Sequence, residues 1–169
     1  MDFYLERALK EIESTTRGMD LEQRRAHPPG KWCAAEILEH LALTFSSTAK
    51  LLERCLQSGK PAARRPTLRE RVITFVVVTL GFFPSGRPAP DFATPRGLDP
   101  ALVQEAIRNS LVAMDGKITE CERRFGAVKI ANHPVLGPFT AREWRRFHWV
   151  HTRHHIKQIA RLRLLIDPS

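Results

Sequence analysis

The sequence predicts an all-α protein forming a single domain over residues 1–169. Three observations carry that reading. Apolar residues recur at helical spacing over 3–17, 33–57, 100–125 and 141–166. Helix starts are marked by the capping boxes T-L-R-E at 67–70 and T-A-R-E at 140–143, and by Asp99 followed by Pro100. The stretches between are broken by proline and glycine.

The first helix is expected over 3–17, with apolar Phe3, Leu5, Ala8, Leu9 and Ile12 at roughly helical spacing and Gly18 as its stop. Asp20 caps a short turn through Gln23, and A-H-P-P-G-K-W follows as a loop carrying a surface histidine, His27. The helix over 33–57 is strongly periodic. Ile37, His40, Leu41, Thr44, Thr48, Leu51 and Cys55 share one face, widened by Leu38, Phe45 and Leu52.

Residues 58–66 form a loop, and the first capping box leads into V-I-T-F-V-V-V-T-L-G-F-F at 72–83. That run is too short to cross a bilayer, which takes about 20 residues. It is expected as a short helix, apolar nearly all round, buried by the rest of the chain or by a second subunit. Its β-branched content would also suit a strand, and a membrane-surface contact is the lesser expectation.

Residues 84–99 form an irregular loop of the length that often carries function. The third long helix, from about 100 to 125, offers Leu102, Ala106, Leu111, Met114, Ile118, Cys121 and Phe125 to the core and closes at Gly126. A-N-H-P-V-L-G-P-F-T then turns into the last helix, which starts near Ala141 and ends before Asp167 and Pro168.

Composition narrows the function classes. With 43% hydrophobic and 27% charged residues, the chain can bury a core and is not disordered throughout. Cys33, Cys55 and Cys121 form no C-x-x-C pair and leave an odd count, which favours free thiols in a reducing cytoplasm. M-D-F-Y-L-E-R has no signal-peptide pattern.

The net charge of +9 invites a nucleic-acid reading. However, Arg142, Arg145, Arg146, Arg153, Lys157, Arg161 and Arg163 spread over a whole outward side, and no recognised nucleic-acid motif accompanies them. A solvated basic face is expected.

The chemistry concentrates in W-R-R-F-H-W-V-H-T-R-H-H-I-K-Q, residues 144–158, which hold four of the seven histidines. On a helix, residues four apart lie about 40° from each other on one face. His151 and His155 are so related, and can both reach one metal ion. The pattern H-T-R-H-H lacks the glutamate of H-E-x-x-H, which argues against metalloprotease chemistry.

His40, inward on the 33–57 helix, would complete three neutral imidazoles with positions left open for water or substrate. A lone histidine on an apolar face is more often a hydrogen-bonded core residue than a ligand, but here another helix presents two more. His154 could replace His155 through its spacing from His151, although it sits about 60° off the face centre. Candidates for outer partners are Glu36, one turn before His40, with His148, His154 and Gln158. A plain surface role for Glu36 stands beside that reading. Trp144, Phe147, Leu162 and Leu165 read as core. Trp149 and Ile156 read as an outward strip that could make a dimer contact or meet the 72–83 segment.

W-C-A-A-E-I-L-E-H-L and H-P-V-L-G-P-F-T-A-R-E-W-R-R-F-H-W-V-H-T-R-H-H-I-K-Q-I resemble the DinB/YfiT-like superfamily, most nearly a branch labelled as a domain of unknown function. The resemblance covers nearly the whole chain. It implies an antiparallel four-helix bundle with a three-histidine metal site, which by motif position is His40, His151 and His155. Some members are described as transferases or isomerases using bacillithiol, mycothiol or glutathione.

The expectation is therefore a divalent transition metal, Zn or Ni first, with Fe, Cu or Co as alternatives, and a low-molecular-weight thiol acting on a small-molecule substrate. A hydrolase-type metalloenzyme is the neighbouring enzymatic reading. The non-enzymatic alternative is a stress-related or interaction module whose histidines are structural or vestigial. A homodimer is expected, and neither nucleic acid nor membrane is an expected partner. The extra apolar segment and the proline-rich stretch depart from a minimal bundle.

Overall fold

The computed structural model describes residues 1–27, 29–83 and 88–166. The start of the expected 84–99 loop and the Asp167–Pro168 helix stop lie outside them. Among the described residues the elements are α1 (Phe3–Thr16), α2 (Leu21–Arg25), α3 (Ala34–Ser58), α4 (Leu68–Thr74) continued by a π turn (Phe75–Thr79), a 3-10 turn (Asp91–Ala93), α5 (Val103–Phe125), strands β1 (Ala131–His133) and β2 (Gly137–Phe139), and α6 (Ala141–Ile166). The expected predominance of helix holds, with one addition. The turn before α6 is an antiparallel hairpin in which Ala131 faces Phe139 and His133 faces Gly137.

The helix starts follow the local chemistry of the sequence. Asp20 and Gln23 form a reciprocal capping box at α2, and Thr67 and Glu70 form another at α4. At α6 the Glu143 carboxylate accepts the Thr140 N–H at 2.7 Å, and Thr140 Oγ1 accepts the Glu143 N–H at 3.2 Å. Such caps satisfy amides that the first turn leaves unpaired, each contributing about 1 kcal/mol. The start of α5 falls later than the Asp99–Pro100 pair suggests. Asp99 caps a separate turn by accepting the Ala101 N–H, the helix begins at Val103, and Leu102 is 55% exposed instead of core.

α1 packs on α6 and α3 on α5, while α5–α6 and α3–α6 contacts join the two pairs. The inward faces, including Leu5, Ile12, Leu41, Phe45, Leu111 and Met114, merge into one core. α3 and α6 run in opposite directions where they meet, because Thr48 reaches His148 while His40, two turns earlier, reaches His151.

Two expectations for α6 do not hold. Trp149 is only 7% exposed and lies under Arg7 of α1, and Ile156 packs against the core, so they form no outward strip. Leu165, expected in the core, is 72% exposed.

Arg145 also leaves the expected outward basic face. It is buried, with Asp115 at 3.4 Å, Glu122 at 2.6 Å and the Thr119 hydroxyl at 3.0 Å. The helix wheel marks it as polar and outward, but α5 covers that flank with carboxylates.

The 68–83 region takes up the capping box as expected but is not engulfed. Val77 and Val78 are buried, whereas Leu68, Val72, Phe75, Leu80 and Phe82 remain exposed within the chain. The hairpin fixes the inner side of this region at Gly137, whose φ of 85° suits glycine and whose added Cβ would meet the Glu70 side chain at 2.7 Å. None of the described helices is long and apolar enough to cross a membrane.

Candidate metal centre

Four-residue spacing makes α6 present His151 and His155 on one face, and antiparallel packing sets His40 of α3 opposite them. The ligating nitrogens of these three side chains lie within 4.8 Å of one another, and all three residues are buried. His151 Nε2 stands 3.0 Å from His155 Nε2 and 3.3 Å from His40 Nε2.

The hydrogen bonds behind the rings assign the protons. His40 Nδ1 donates to the Ala93 carbonyl at 2.7 Å, and His155 Nδ1 donates to the Gln158 side-chain oxygen at 2.7 Å. A neutral imidazole has one N–H, so both Nε2 atoms are left as lone pairs pointing inward. His151 is oriented differently. Its ring stacks on Phe147 at 5.6 Å and 9° and lies 5.2 Å from Phe83, while its buried Nδ1 has no partner.

This set fits a metal ion better than it fits itself. A single proton on His151 Nε2 can serve only one of the two facing lone pairs, leaving the other against an acceptor or an unshared N–H. Three nitrogens at ~2.0–2.1 Å from a tetrahedral ion stand about 3.3 Å apart, close to the separations seen. One or more positions would remain open, the arrangement of a catalytic rather than a structural site.

Burial sets the electrostatics. It pushes His155 down to about 3, helped by the nearby His40, and holds His151 well below the usual histidine range and His40 below it. All three are neutral near pH 7, the form that ligates metals. Outside the trio, burial lowers His133 to about 4 and His148 to about 3.

These shifts make the metal-free protein less stable in acid. The unfolded histidines, at 6.5, take up protons that the folded ones refuse, so stability is full above pH 6.5 and declines as pH falls towards 3. Thermal melting in chelator should show the midpoint dropping steadily below pH 6.5. A midpoint that is flat or rises on acidification would contradict the buried neutral state.

The outer partners differ in part from the expectation. Gln158 bridges two histidines, accepting from His155 and donating to His154 Nε2 at 3.2 Å, which places His154 behind Gln158. Glu36 does not orient His40. Its carboxylate accepts the Cys33 N–H at 2.9 Å at the start of α3 and lies 3.5 Å from His27. His148 turns to the Thr48 hydroxyl at 3.0 Å and does not bond the trio.

The residue that sequence reasoning missed is Glu39. It is 6% exposed, and its carboxylate accepts the backbone N–H groups of Arg96, Gly97 and Leu98 at 2.9, 3.1 and 2.9 Å. Gly97, with φ of 87°, lets the chain curl round the carboxylate. The 91–98 segment thus has one end fixed by Glu39 while its Ala93 carbonyl fixes His40, the next residue on α3. No local pattern reveals this, because the amides come from nearly sixty positions away. Glu39→Gln offers those amides one acceptor and an opposing N–H₂, and is expected to weaken metal affinity about 10- to 100-fold. Competition titration with a chelator of known affinity measures it, and unchanged affinity would remove Glu39 from the centre.

A cavity of ≈ 1530 Å³ opens onto the trio, with Trp32, Thr44, Ile73, Phe83 and Phe92 among its walls and Lys50 and Arg54 on its lining. That exceeds the ~300–1,000 Å³ of most small-molecule sites. The chain's own thiols are poor nucleophiles here: all three cysteines are free and buried, and burial raises Cys33 and pushes Cys121 up to about 11. His27, Cys33 and Glu36 also come within 4.8 Å of one another, but the last two are occupied in starting α3.

Fold and site together define a helical protein with a buried three-histidine group able to hold a metal ion. The family model of the DinB superfamily matches residues 4–159, and the chain belongs to that superfamily. No curated protein and no solved structure is matched by it.

Proposed function

We propose that the protein is a metal-dependent enzyme of thiol-transferase type, with His40, His151 and His155 as metal ligands on an antiparallel four-helix frame. The observation that carries this reading is the convergence of three neutral imidazoles, two of which have their inward lone pairs fixed from behind by Ala93 and Gln158. Nitrogen donors of this kind suit Zn or Ni, and also Fe, Cu or Co. When bound, such an ion supplies the Lewis acidity that lowers the pKa of a thiol beside it.

The chain's own residues contribute position and exclusion. Gln158 and the Ala93 carbonyl hold two rings so that their Nε2 atoms face the centre, and Phe147 and Phe83 hold the third. Burial of the trio keeps the three rings neutral and their lone pairs available to a metal. The cavity has room for a low-molecular-weight thiol and an electrophilic second substrate together. Its size, and the chain's lack of an activated cysteine of its own, support a reaction in which the thiol is brought in.

The test uses purified protein reconstituted with Zn or Ni. Conjugation of glutathione, bacillithiol or mycothiol to an activated aryl halide is followed with and without metal, and with the His155→Ala variant. Turnover that requires both metal and His155 supports the reading. Metal uptake without thiol turnover across this panel would sink the transferase assignment and leave the metal centre.

A further inference from the structure

The outer face of the 68–82 segment is an apolar stripe built with some precision. Leu68, Val72 and Phe75 follow helical spacing of four and three and are 78%, 56% and 54% exposed. In an uninterrupted α-helix the next residue on that line would be Thr79. The chain instead makes a π turn, in which the Leu80 N–H bonds the Phe75 carbonyl five residues back at 3.0 Å. The extra residue sets Leu80 over Phe75, so that leucine takes the place threonine would hold. Leu80 is 64% exposed and Phe82, just beyond, 66%.

Cations border the stripe. On the wheel Arg71 falls about 70° to one side of its centre and Arg69 about 90° to the other. Both are exposed, as is Arg65 just before the helix. The acid of this segment, Glu70, is already held by Arg64 and by the Thr67 cap.

We propose that this face seats the protein on a membrane surface containing anionic lipids, lying in the interface without crossing it. Leucine and phenylalanine side chains enter the headgroup boundary, while Arg69 and Arg71 reach outward along the stripe to lipid phosphates. Counter-charge decides against a second copy as the occupant. A two-fold interface would set this face against itself, bringing arginines of one +9 chain onto those of another with Glu70 already committed. An anionic bilayer supplies the missing negative charge. The inference is independent of the metal centre, since the histidines play no part in it.

Flotation of the full chain with phosphatidylcholine vesicles, with and without phosphatidylglycerol, tests it. Binding is expected with phosphatidylglycerol only, and should weaken as salt rises. Phe75→Ser/Phe82→Ser alters exposed positions and should keep the wild-type melting temperature while binding falls by roughly tenfold or more, as two aromatic side chains stay in water. Arg69→Gln/Arg71→Gln should weaken binding and flatten its salt dependence. No binding overturns the proposal, and so does equal binding by the phenylalanine variant, which would reduce the effect to bulk charge. A wild-type dimer that the phenylalanine variant converts to monomer would also overturn it and assign the face to a second copy.

Discussion

His151→Ala is expected to abolish stoichiometric metal binding while leaving the helical fold in place. His151 Nε2 stands between the other two ligating nitrogens, so its loss leaves His40 and His155 without the group that joins them. The fall in affinity should exceed the ~10- to 100-fold typical of losing an outer hydrogen-bonding partner. Elemental analysis of the purified wild-type and variant proteins, followed by titration with Zn and Ni in competition with a chelator, provides the measurement. Far-UV circular dichroism tests whether the fold survives, since the variant removes one neutral ring whose Nδ1 was already unpaired. A variant that binds metal with wild-type stoichiometry and affinity would show that the trio is not the binding site.

The largest stability effect is expected at Arg145→Ala. The guanidinium joins Asp115, Thr119 and Glu122 of α5, and lies 3.7 Å from Asp2, whose side chain caps α1. Asp115 in turn accepts the Asp2 N–H at 2.9 Å, so three helices meet at one charged cluster. Removing the cation leaves a buried carboxylate without its partner, at a cost of about 3–5 kcal/mol. Urea unfolding should show the midpoint falling with little change in slope. Arg145→Met paired with Asp115→Leu removes both charges and should recover much of the loss. If Arg145→Ala unfolds within about 1 kcal/mol of wild type, the cluster acts as an ordinary surface ion pair.

Both residues show where a helical wheel informs and where it fails. Four-residue spacing put His151 and His155 on one face, and apolar periodicity on α3 put His40 inward, so the trio could be assembled from sequence. The same wheel put Arg145 outside with the other arginines, because a wheel knows the angle of a side chain but not what lies opposite. Trp149 fails for the same reason: it looks outward on α6 until α1 is laid over it. Glu36 is a candidate partner for His40 by helical spacing, yet its carboxylate is drawn to the free amides at the start of α3. Glu39, pointing from the next turn towards a distant loop, holds that loop instead.

The sequence by itself determined the helical class, the starts of the long helices other than α5, and the pairing of His151 with His155. Each of these depends on residues within a few positions of one another, where capping and periodicity act. Tertiary structure decided the rest: the 131–139 hairpin, the Ala93 and Glu39 bonds that set His40, the burial of Arg145, and the exposure of the 68–82 stripe. Those features depend on which surfaces meet across distant parts of the chain. The energy that fixes them, desolvation and long-range hydrogen bonding, has no local trace in the sequence.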